Sequence, residues 1–123
     1  MEQALGRPRE WYDQEYYFGT NKSLYFGQAA DVAEARWRAN LGLESLPEDP
    51  ILDLGCGFGM IVEAVRARGR ICYGVDWSHT AVTYKPRPYI LEACAWALPF
   101  PDKSMGGILS NDFLEHLPTE RIP

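Results

Sequence analysis

The chain has 123 residues, 46% of them hydrophobic, and a formal net charge of −5. That length suits one domain, and that apolar share excludes a disordered chain. The scattered basic residues form no stripe for nucleic acid, so no nucleic-acid partner is expected. No apolar run approaches the ~20 residues that span a bilayer, so no membrane partner is expected.

Residues 10–27 are crowded with aromatics: Trp11, Tyr12, Tyr16, Tyr17, Phe18, Tyr25 and Phe26. Trp11, Tyr12 and Tyr16 fit one face of a short helix. Two readings follow: the rings complete the core from an N-terminal flap, or some of them cover a ligand. Residues 28–41 read as a helix with Ala29, Ala33, Trp37 and Leu41 on its apolar face and Gly42 as its stop. Pro47 and Pro50 make the connector into the next element rigid.

Ile51 to Leu54 read as a buried strand, and Met60 to Arg68 as a helix ending at Gly69. Between them lies Gly55-Cys56-Gly57-Phe58-Gly59, a turn in which backbone can approach a ligand closely. Strand, glycine turn and helix N-terminus together make a nucleotide-type binding corner. Residues 71–75 are a second strand ending at Asp76. Ser78 is the expected N-cap of a helix that Pro86 and Pro88 cut short. A third strand is expected over 89–93 and a fourth over 105–110, with a loop over 95–103 between them. Another helix is expected to begin at Phe113. Short strands alternating with helices imply right-handed crossovers and a parallel sheet.

The glycine spacing chooses among nucleotides. A nicotinamide fingerprint has its third glycine three residues after the second. Here the order is Gly55-x-Gly57-x-Gly59, and Met60 stands where that glycine would be. Asp53, two residues before the turn, would face a pyrophosphate unfavourably and suits a positively charged ligand. Asp76 lies about 20 residues past the glycines, where a carboxylate accepts hydrogen bonds from ribose hydroxyls. Trp77 is placed either to lie on a purine ring or to pack in the core.

Residues 51–59, 74–78 and 95–102 resemble the class I S-adenosylmethionine-dependent methyltransferases of the small-molecule type, as does Glu115-His116-Leu117. The resemblance covers about residues 50 to 118. It implies an α/β, Rossmann-like parallel sheet with flanking helices, here truncated after about the fourth strand. Residues 1–49 would be an aromatic-rich segment and helix, and 50–123 the cofactor-binding half of one incomplete domain. It further implies S-adenosyl-L-methionine as cofactor and a small-molecule acceptor. Asp53, Gly55, Cys56 and Gly57 would line its methionine part and Asp76 its ribose. Trp77, Ala95 and Trp96 would border its adenine, with Ser110 and Asn111 near the reactive methyl. The sequence departs from the family at Cys94, where an Asp is usual, and at Met105-Gly106-Gly107-Ile108, where the fourth strand usually opens with Phe-Asp.

Methyl transfer from a sulfonium is an in-line displacement in which alignment dominates. No catalytic residue is assigned. His116 and Glu115 are the candidate bases for an acceptor hydroxyl or amine, and His79, at the start of the helix after Asp76, is expected to face solvent. A truncated non-catalytic remnant and a nicotinamide-dependent oxidoreductase are the competing readings. The fourth strand would present an open edge suited to self-association. Cys56, Cys72 and Cys94 include no Cys-x-x-Cys pair. They are expected to be reduced thiols of a cytoplasmic protein, with no metal bound.

Overall fold

The computed structural model describes residues 9–13 and 31–111. The expected helix after Phe113, with Glu115, His116 and Leu117, lies outside these residues, as do Tyr16, Tyr17, Phe18, Tyr25 and Phe26. A 3-10 turn at Arg9–Trp11 comes first. Helix α1 follows at Val32–Leu43, strand β1 at Ile51–Leu54 and helix α2 at Met60–Ala67. Then come β2 (Cys72–Asp76), α3 (His79–Tyr84), β3 (Ile90–Glu92) and β4 (Gly107–Leu109). The four strands form one parallel sheet in the order β3-β2-β1-β4. This is the Rossmann-like α/β arrangement that alternating strands and helices imply. Among the described residues, β3 and β4 are the outer strands.

Local chemistry places the helix starts. The Asp31 carboxylate accepts from the Glu34 N–H at 2.9 Å and opens α1. Ser78 caps α3 as expected, accepting from the Ala81 N–H at 3.1 Å. Strands β3 and β4 are shorter than the sequence suggests. Just before β4, the Gly106 N–H donates to the Pro50 carbonyl at 2.7 Å. A Cβ there would collide with the Glu48 backbone, so the connector into β1 lies tight against the start of β4.

The helices converge on one sheet face. Ile51, Val62, Val65 and Cys72 are fully buried, with Ala39, Val82, Ile90 and Leu109 around them. Helix α2 supplies Val62 and Val65, spaced so that one stripe faces the sheet. Gly74 allows the close fit there. A Cβ at position 74 would sit 2.7 Å from a Val62 methyl and 2.9 Å from the Cys56 sulfur.

Two expectations about α1 are corrected. Gly42 does not stop the helix, which runs on to Leu43. It lies where a Cβ would collide with the Leu109 side chain. The apolar face is also not the one expected: Trp37 is 60% exposed and Leu41 48%, whereas Ala35 and Ala39 are buried. Backbone packs this closely only through small residues, so the Ala35–Ala39–Gly42 side faces inward and the larger apolar side faces out.

Candidate functional site

The ends of β1, β2 and β3 meet in a narrow slot at the carboxyl edge of the sheet. This is where ligands of open α/β sheets bind. Leu54, Gly55, Val75, Asp76, Trp77, Ala93, Ala95 and Trp96 line it. Five of the expected site residues, Gly55, Asp76, Trp77, Ala95 and Trp96, therefore share one slot.

The glycine turn is built for close approach. Gly55, Gly57 and Gly59 have φ of 78°, 55° and 83°, a left-handed region costly for residues with a side chain. The N–H groups of Gly55 and Cys56 both donate to the Val75 carbonyl at 2.9 Å. That bond pair pins the turn to β2. Asp76, at the end of β2, completes the join: one carboxylate oxygen accepts from the Gly57 N–H and the other from the Ser78 N–H, each at 2.9 Å. The carboxylate thus bridges the two loops that frame the slot.

Asp53 and Cys56 lie beside the slot and do not line it. Asp53 is 2% exposed, and its Oδ2 has no hydrogen-bond partner. Burial, and then repulsion from Asp76, push its carboxyl up to about 7. Burial likewise raises the Cys56 thiol, followed by the Asp53 and Asp76 charges. Cys72 is pushed up to about 12, again by burial first and then by Asp53. These thiols stay protonated at neutral pH and are poor nucleophiles. The buried acid keeps an unpartnered oxygen two residues before the turn.

Aromatic rings wall the other end. The Trp77 and Trp96 indoles meet edge to face, with centroids 5.4 Å apart and planes at 85°. The loop carrying Ala95 and Trp96 is held by the Ala97 N–H donating to the Cys94 carbonyl at 3.0 Å.

Ser110 is not brought to the slot. It is exposed and follows β4, the strand next to β1. Its neighbour Asn111 accepts from Arg38 of α1 at 3.3 Å. His79, at the start of α3, pairs through Nδ1 with Glu92 at 2.8 Å.

Several residues of this region gave no signal in the sequence. Arg87 donates to the Phe58 carbonyl at 2.5 Å and to Glu63 at 2.7 Å, clasping the glycine turn from the β3 side. Burial works to raise the Glu63 carboxyl, but hydrogen bonds from Tyr89 and Arg87 outweigh it and hold the group below its usual value. Arg9, Tyr12 and Glu92 also converge here. The partners of Arg9 and Tyr12 in the bonds that hold them here lie 66 to 83 residues away in the chain, and no spacing rule reaches that far.

The family follows from the match. Residues 52–122, more than half of the chain, match the methyltransferase domain. The chain belongs to this family of class I methyltransferases, whose members normally take the methyl group from S-adenosylmethionine. In structure it is similar to a chain of the solved complex between the Haloferax volcanii Trm112 methyltransferase activator and a methyltransferase. The TM-score is 0.54 at 22% identity, and the match covers 75% of this chain and 46% of that one. The present chain thus spans less than half of that neighbour's length. No curated protein matches the sequence. Among the described residues, no helix is long and apolar enough to cross a membrane.

Proposed function

We propose that this chain binds S-adenosylmethionine in the slot between β1, β2 and β3 and presents its methyl group to a small-molecule acceptor. The observation that carries the reading is the double anchorage of Asp76. Its two oxygens are each held by a backbone N–H, one from the glycine turn and one from the following loop. An aspartate accepts up to about four hydrogen bonds, and this anchorage fixes the carboxylate in the slot lining, where vicinal ribose hydroxyls would meet it.

The remaining residues fit the same ligand. The left-handed glycines bring backbone close to the homocysteine portion. Met60, standing where a nicotinamide fingerprint has its third glycine, argues against a nicotinamide dinucleotide. The indoles of Trp77 and Trp96 offer apolar surface to a planar base. The cofactor supplies an activated sulfonium methyl; this chain's residues orient it and exclude water. The net charge of −5 favours a small acceptor over nucleic acid. Cytoplasmic residence and pairing of a second copy along the β4 edge, where Ile108 is 53% exposed, belong to the same proposal.

Calorimetric titration with S-adenosylhomocysteine tests it. Binding to the wild-type chain, weakened about tenfold or more in Asp76→Ala through loss of charge-assisted hydrogen bonds, is the expected result. A folded wild-type chain that gives no binding heat at two temperatures, or that binds NADH instead, overturns it.

A further inference from the structure

The 3-10 turn at Arg9–Trp11 and the residues just after it are far from the slot in sequence. Their contacts nonetheless fall on one short stretch of the site. Arg9 donates through Nε to the Trp77 carbonyl at 2.6 Å and through a second guanidinium nitrogen to Glu92 at the end of β3. The Ser78 hydroxyl, 1% exposed, donates to the Tyr12 carbonyl while accepting from the Ala81 N–H. The Tyr12 ring is 7% exposed, and its centroid lies 6.1 Å from that of Trp77.

Each contact has a consequence for Trp77. The guanidinium fork is planar and reaches two acceptors at once, which fixes the Trp77 backbone relative to β3. The Trp77 ring is in contact range of both the Tyr12 and the Trp96 rings. The Ser78 cap of α3 has its hydrogen satisfied only while the Tyr12 carbonyl is in place, and a buried hydroxyl left without an acceptor is costly. The slot has room for about one water molecule, near 10 Å³, so a planar base enters only as its lining, Trp77 and Trp96 included, gives way. Of these lining rings, Trp77 is the one that the 9–13 segment contacts, through Arg9 and Tyr12.

Resting on the reading of the slot given above, we propose that the segment 9–13 is a structural wall of its base end. Arg9 and Tyr12 act as positioning residues that hold Trp77 against an incoming purine. Ligand binding and docking of this segment are then coupled, and by linkage each strengthens the other.

The test uses the full chain and two probes, S-adenosylhomocysteine and adenosine. Arg9→Ala, Tyr12→Ala and Glu92→Gln are expected to weaken both probes about five- to tenfold and by matching factors. Arg9→Lys, which keeps the charge toward Glu92 but loses the fork, should recover part of the loss. In the wild type, S-adenosylhomocysteine should slow tryptic cleavage after Arg9 about tenfold, and Glu92→Gln should abolish that protection while leaving the circular dichroism spectrum unchanged. A variant that fails to fold is replaced in this comparison by Glu92→Gln, which is nearly isosteric. If the wild type binds but all variants bind equally and cleavage is unprotected, this inference alone is overturned. If the wild type binds neither probe, the slot reading falls and this inference with it.

Discussion

Two flanks of the same sheet teach different lessons. Around β1 and β2, the chain is governed by backbone: glycines with left-handed φ, a carboxylate bonded to two N–H groups, and a strand end that pins a turn. Around α1 and β4, it is governed by the size of side chains. Gly42 and the two inward alanines let the helix lie against Leu109, and the larger apolar residues are left outside. Backbone geometry writes a local signature that a reader of sequence can find. Size complementarity is a property of two distant segments and leaves no signature in either.

The sharpest break between these regimes concerns Asp53. Its folded carboxyl holds a proton up to about pH 7, against 3.8 for an ordinary aspartate. The folded chain therefore binds more protons than the unfolded chain between those values, and stability falls as pH rises through that window. Conversion of the shift gives a cost on the order of 4 kcal/mol above pH 7, absent below about pH 4. Asp53→Asn is expected to raise stability in urea denaturation at pH 8, to change it little at pH 4, and to flatten the profile between. An equal effect at both pH values would show that the cost is packing and not charge.

On the other flank, Gly42→Val is expected to destabilise by about 1–3 kcal/mol through the collision with Leu109. Trp37→Ala, on the exposed side of the same helix, should stay within about 0.5 kcal/mol. Thermal melting of both variants decides the point. If Trp37→Ala were the more damaging, the outward face would have a partner, and the contrast between the flanks would need redrawing. A further modest effect is expected at Arg87→Ala. Its bridge to Glu63 is partly exposed, and its loss should cost about 1 kcal/mol or less, shrinking further in high salt.

The sequence made the β1–turn–α2 unit, the parallel sheet and the Ser78 cap legible because each rests on neighbours in the chain. It also singled out Gly55, Asp76, Trp77, Ala95 and Trp96, which the fold brings together in the lining of one slot. It misjudged α1 because a spacing of four marks a stripe without saying which stripe meets the sheet. Trp37 and Leu41 form one stripe and Ala35 and Ala39 another, and only the closeness of Leu109 selects between them. Ser110, expected beside the reactive methyl, follows β4, the strand next to β1, and is not among the residues that line the slot. Arg9 and Glu92 were silent for a further reason: a lone surface charge in sequence carries no hint of its partner.

One absent methyl group sets the height of the cradle. Position 74 carries no side chain, and the Cys56 sulfur and a Val62 methyl occupy the volume that an alanine would claim. An alanine there would act as a wedge from below, prising the loop upward without altering any atom that faces the slot. Gly74 is therefore a remote control point, through which affinity can be tuned in redesign while the lining itself is left untouched.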